Sequence, residues 1–99
     1  VKSLLILLLL VGCGIIPPMH LIEGRHYRID QSQRIIFGKT PEIVDMICRQ
    51  RGVQISAVPY LVEGCFSDSD GVIVLMEGTR PGEAVWEHEM AHRRGWRHP

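Results

Sequence analysis

The spacing of apolar and polar positions changes several times along this chain. Residues 3–19 carry no charge and are mostly apolar, behind a single basic residue, Lys2. His26 to Asp30 alternates polar with apolar. Gln31-Ser32-Gln33 is polar, and Arg34 to Phe37 is apolar enough for a strand. That sequence of patterns predicts a hairpin within residues 25–38. From Thr40 the period lengthens, and Ile43, Val44, Ile47 and Cys48 share one face at helical spacing. Thr40 offers a capping hydroxyl, Pro41 suits the first helical position, Glu42 complements the helix dipole, and Gly52 stops the run. The spacing predicts a helix over 41–51 whose apolar face enters the core.

Residues 53–66 are apolar with β-branched side chains, broken by Pro59. Ser67-Asp68-Ser69-Asp70-Gly71 is a turn cluster, and Val72 to Met76 is a strong strand, so a second hairpin is expected here. The acidic turn lacks the glutamate that a calcium loop carries at its twelfth position, and it reads as a solvated turn. Gly78 to Glu83 opens a last helix, expected from about Pro81 to Arg94. Thr79 or Arg80 precedes it, and Ala84, Val85 and Ala91 turn inward. Together these elements predict an α+β fold, with a small antiparallel sheet or hairpins and two helices.

Chemistry concentrates in the last of these elements. His88-Glu89-Met90-Ala91-His92-Arg93-Arg94-Gly95-Trp96-Arg97-His98 reads HExxHxxGxxH. Positions i and i+4 of a helix lie one above the other, so His88 and His92 can bind one metal ion. Glu89 follows the first ligand and can act as a base toward a water. Gly95 can adopt the left-handed conformation that ends a helix and returns the chain, bringing His98 back as a third ligand. Zinc in such an open three-ligand site lowers the pKa of water to about 7. In shuffled sequences of this composition HExxH alone arises in roughly 2% of cases, and the extended pattern in about one in ten thousand, so the extension carries the reading. Two blander readings stay open: surface histidines on a polar helix end, and a closed, non-catalytic zinc site.

HEMAHRRGWRH resembles the zinc signature of metzincin-type metallopeptidases over eleven residues. The resemblance implies zinc ligands His88, His92 and His98 with Glu89 as general base, and a substrate that is a peptide or protein. Metzincins place a methionine turn downstream of the third ligand. Here Met19, Met46 and Met76 lie upstream and Met90 lies inside the motif, so the expected fold is a minimal zincin-like domain. By analogy with zincins, Val72 to Met76 or its hairpin partner is the edge strand that would hold an extended peptide. Tyr27, Tyr60, Arg93 and Arg97 are unranked candidates for stabilising the oxyanion. Trp96 either covers the site or packs on the helix.

The amino-terminal pattern bears on location. A basic residue, an apolar stretch and small residues describe a secretory signal. Leu10-Val11-Gly12-Cys13 resembles a bacterial lipobox, which implies cleavage before Cys13 and lipid on that cysteine. The expected organisation is a signal peptide over 1–12, a lipidated tether over 13–24 and the metal-binding domain over 25–99. An uncleaved anchor is the alternative. The uncharged run holds two glycines and Pro17-Pro18, and it falls short of the ~20 residues that a span needs. With Gly14 after Cys13, the lipoprotein resemblance favours the periplasmic face of the outer membrane within the bacterial cell envelope, and a Gram-positive surface stays open.

Composition sharpens two points. The 99 residues carry 11 basic and 11 acidic side chains, a balance that argues against nucleic acid as the main partner. Cys48 and Cys65 form an even pair, read as a disulfide in an oxidising compartment or as two separate buried thiols. The expected function is a lipid-anchored zinc metallopeptidase acting in the cell envelope. The alternative is a non-catalytic zinc-binding structural or interaction lipoprotein.

Overall fold

The computed structural model describes residue 16 and residues 21–53 and 62–99. The signal segment 1–12, Cys13, Pro59 and Tyr60 lie outside the described residues. A 3-10 turn at Gly24–His26 leads into β1 (Tyr27–Asp30), then β2 (Ile35–Gly38), α1 (Pro41–Gln50), β3 (Gly64–Phe66), β4 (Ile73–Met76) and α2 (Ala84–Arg93). The strands form one sheet in the order β1-β2-β4-β3. This is the α+β class read from the sequence, with two α-helices among the described residues and both hairpins: β1 pairs antiparallel with β2, and β3 with β4.

The sheet as a whole is mixed rather than antiparallel. Its two central strands, β2 and β4, run parallel, with Ile36 opposite Val74. A parallel pair needs a long crossover between its strands, and α1 lies in that connection. Local patterning specifies each hairpin; how the two hairpins join is decided by where α1 packs.

Both central strands are apolar on both faces, as strands covered on two sides must be. On one face Ile36, Val72 and Val74 meet Val44, Ile47 and Cys48 of α1, together with Cys65, Ile16 and Ile22. On the other face Ile35, Phe37, Ile73 and Leu75 meet Trp86 of α2, flanked by Phe66, Val85 and Met90. Ile16 and Ile22 fall within the expected tether yet are buried in the core, so the packed unit takes in residues upstream of Arg25.

α1 forms where its signals place it. The Ile43 N–H donates to Thr40 Oγ1 at 3.2 Å. Gly52 takes φ +75°, a left-handed value that stops the helix. A disulfide joins Cys48 of α1 to Cys65 of β3, settling the pairing left open by the sequence. α2 begins at Ala84, later than the expected Pro81. Gly82 sits at φ +95° and Glu83 is extended, so neither can belong to the helix. Acidic side chains serve the helix entrance instead of Thr79: Glu83 accepts from the Arg80 N–H at 3.3 Å and Glu87 from the Gly82 N–H at 3.2 Å. No helix among the described residues is long and apolar enough to cross a membrane.

Candidate metal centre

α2 divides its side chains between two sides. Trp86 and Glu89 are buried, while His88 is exposed and His92 half-buried. One turn separates the two histidines, and their Nε2 atoms lie 3.2 Å apart. The helix then closes with a paired-bond glycine cap. Gly95 adopts φ +106°, its N–H donates to the His92 carbonyl at 3.0 Å, and the Trp96 N–H donates to the Ala91 carbonyl at 3.0 Å. This reversal returns the chain, and ligand atoms of His88, His92 and His98 all come within 4.8 Å of one another. The three residues singled out as ligands are thus brought together.

The group could hold a metal ion, and the spacing of His88 and His92 suits one directly. Two nitrogens bound at 2.0–2.1 Å to one tetrahedral ion stand about 3.3 Å apart, close to the separation of His88 and His92. His92 Nδ1 lies 2.9 Å from the Trp96 carbonyl oxygen. A carbonyl only accepts, so Nδ1 carries the proton and Nε2 keeps its lone pair for a metal. A backbone carbonyl fixing the ring in this way is a common support for a ligand histidine. Burial, then the neighbouring His92 and His98, lower the pKa of His88, which favours its neutral, ligating form.

Glu89 sits on the inner side of the helix. Burial pushes its carboxyl above the usual carboxylate range, with His92 pulling the other way. Among the described residues no hydrogen bond contributes to that shift. Its acidity is therefore set by burial, with His92 opposing it.

The acidic turn before β4 proves to be more than a solvated loop. Arg93 Nη2 donates to the Gly71 carbonyl at 3.0 Å and to the Arg34 carbonyl at 2.8 Å. Arg97 reaches Asp68 at 2.9 Å and the Trp96 carbonyl at 3.0 Å. Arg34 donates to the Asp70 carbonyl at 2.7 Å, and Arg51 pairs with the Asp70 carboxylate. Four arginines from separate parts of the chain converge on five residues, and two of them anchor the histidine-bearing segment. The charges are visible in the sequence, but their contacts with the turn span up to 36 positions and leave no local signature.

This network sorts the oxyanion candidates. Arg93 is committed to backbone carbonyls, and Tyr27 packs against the core on the α1 side. Arg97, bonded to the His92 and Trp96 carbonyls, stays beside the histidines. One aromatic contact was not foreseen: Phe66 stacks on His92 at 6.2 Å. Of the two positions considered for Trp96, its ring takes the one over the site, beside all three histidine rings. Phe66 belongs to β3, which is an edge strand, whereas β4 is interior. Of the two strands considered for an edge role, the hairpin partner holds it. A cavity of about 540 Å³ lies at the start of α2, lined by Val62, Glu63, Met76, Glu83 and Val85 among others; none of the three histidines lines it.

Comparison with protein-family models, with curated proteins and with solved structures finds no match to this chain.

Proposed function

We propose that this chain is a lipid-anchored zinc metallopeptidase that hydrolyses peptide bonds in the bacterial cell envelope. The observation that carries the reading is the convergence of His88, His92 and His98 around one position, with Glu89 on the adjoining side of α2. A nitrogen-only donor set suits zinc, while calcium and magnesium take oxygen ligands. His88, His92 and His98 would hold the zinc, which would supply Lewis acidity toward a carbonyl and toward water. Glu89 then accepts a proton from water and delivers it to the leaving amine. β3, the edge strand among the described residues, would offer backbone groups to an extended peptide, and Phe66 ties that edge to His92. The lipid anchor is read at Cys13 from the apolar run before it and the lipobox-like residues around it.

A second reading has its own observation. Trp96 packs on all three histidine rings, as a closed structural site would arrange it. The chain would then be a zinc-binding structural or interaction lipoprotein.

Metal analysis paired with a peptide-library assay separates the two. As a peptidase, the protein carries one zinc and cleaves peptides, and Glu89→Ala keeps the zinc while losing cleavage by at least 100-fold, the lower range of general acid–base contributions. Zinc-loaded wild-type protein that cleaves nothing across broad panels removes the peptidase reading. In the structural reading Glu89→Ala is silent, and His88→Ala unfolds the domain or abolishes partner binding.

A further inference from the structure

The three histidine rings and the Trp96 indole stand at the corners of an almost regular tetrahedron. Centroids of His88, His92 and His98 are separated by 4.8, 5.1 and 4.8 Å. Trp96 lies 5.4, 4.9 and 4.7 Å from them in the same order. The centre of a tetrahedron with edges near 5 Å lies about 3 Å from each corner, which is also where an imidazole centroid stands from a zinc bound at 2.0–2.1 Å. Three corners carry nitrogen donors. The fourth carries an indole, whose N–H only donates and which has no lone pair to offer a metal.

We propose that the Trp96 indole is a gate on the metal centre: it fills the quarter where a fourth ligand belongs and excludes small ligands until it swings out. The inference rests on the metal reading above and does not need the peptidase reading. The backbone of Trp96 is fixed, since its N–H bonds the Ala91 carbonyl and its carbonyl takes bonds from His92 and Arg97. The indole is 44% exposed and is held by ring contacts. Rotation about its side-chain bonds therefore moves the ring without disturbing the glycine cap that returns His98. A ring that touches all three ligand rings while its backbone alone is anchored has the build of a movable cover. The ligand class selected against is any small metal-binding anion or carbonyl group that approaches without displacing the indole.

The test uses Co²⁺ as a visible probe of the centre and acetohydroxamate as the fourth ligand. Visible absorption of the Co²⁺-loaded full chain is followed as acetohydroxamate is added. Trp96→Ala is expected to bind the hydroxamate at least tenfold more tightly than wild type, with Trp96→Phe in between. In wild type, Co²⁺ should quench indole emission. In Trp96→Phe, where Trp86 alone emits from the core, most of that quenching should vanish. Hydroxamate affinities within twofold for wild type and Trp96→Ala overturn the gate. If Trp96→Ala fails to hold Co²⁺, Trp96→Leu takes its place; loss of Co²⁺ from both overturns the proposal, since the indole would then support the ligands. A wild-type protein that takes up no Co²⁺ removes the metal reading and the gate together. Tighter hydroxamate binding in Trp96→Ala, in a protein that cleaves no peptide, leaves the gate standing and removes the peptidase.

Discussion

The two helices have the same length, lie on opposite faces of one sheet, and are held there by different means. α1 buries Val44, Ile47 and Cys48 completely, has a side-chain cap at Thr40 and is bonded through Cys48 to β3. α2 buries only Trp86 and Glu89, and much of its remaining surface carries histidines and charges. A helix that turns ligands toward solvent has less apolar surface to give to a core. α2 is therefore secured at its end, where Arg93 grips two carbonyls and Arg97 reaches Asp68. The part-buried hydrogen bonds of Arg93 contribute about 1.5–3 kcal/mol each, enough to stand in for a missing apolar contact or two, while the exposed Arg97–Asp68 pair is screened by solvent and adds little. Packing holds the scaffold helix, and a polar clamp holds the metal-binding one.

The contrast is broken most severely at the ligands. His92→Ala should lower zinc affinity by well over 100-fold, since changes to mere supporting groups already cost about 10–100-fold. Calorimetric titration measures this. The metal-free melting temperature should barely move, because His92 is half-exposed and little packing is lost. A large fall in metal-free stability would mean that the histidine face is part of the core after all.

Ile47→Ala attacks the other helix and should cost about 2–5 kcal/mol in chemical denaturation, the range for a large-to-small change in a core. Zinc affinity of the folded fraction should stay within twofold. A cost under 1 kcal/mol would show that α1 does not depend on packing.

Arg93→Met keeps an apolar stem and removes the clamp. Leaving the Gly71 and Arg34 carbonyls without this partner should cost about 1.5–3 kcal/mol. Zinc affinity should fall about tenfold, the lower end for a group that orients a ligand. Unchanged zinc affinity would uncouple the clamp from the centre.

The smallest effect is expected in acid. Burial raises the pKa of Asp70, but hydrogen bonds from Arg51, the Val72 N–H and Ser67 outweigh it and leave the carboxyl below the ordinary aspartate range. The Arg49 hydrogen bond, opposed by burial, lowers Asp45 in the same direction. A folded pKa below the unfolded one means that the unfolded chain binds more protons. The stabilisation is complete above the unfolded value of about 3.9 and is lost as pH falls through the folded value. Denaturation followed from pH 5 to pH 2 should show a falling stability that is shallower in Asp70→Asn. An identical slope in the two proteins would remove Asp70 from the acid response.

Local signals were legible wherever neighbours in sequence are neighbours in space. Thr40, Pro41 and Gly52 mark α1 because a helix is capped by residues three or four positions away. The alternation over 26–30, the polar turn at 31–33 and the apolar run over 34–37 mark a hairpin for the same reason. His88, His92, Gly95 and His98 are brought together by one helical turn and one glycine cap, so their convergence needs nothing distant. Where local cues competed, the outcome was less legible. Pro81 suits a helix start, but the left-handed Gly82 delays α2 to Ala84.

The sequence by itself therefore determined the α+β class, the two hairpins, the first helix and the histidine cluster. Each depends on contacts closed within a few residues, where spacing and backbone preference are enough. Tertiary structure alone decided the parallel pairing of β2 with β4, the burial of Ile16 and Ile22, and the inward position of Glu89. It also decided the grip of Arg93 and Arg97 on the acidic turn and placed Phe66 on His92. These depend on which surfaces meet once both faces of the sheet are covered, and burial and long-range charge pairing have no period along the chain to betray them.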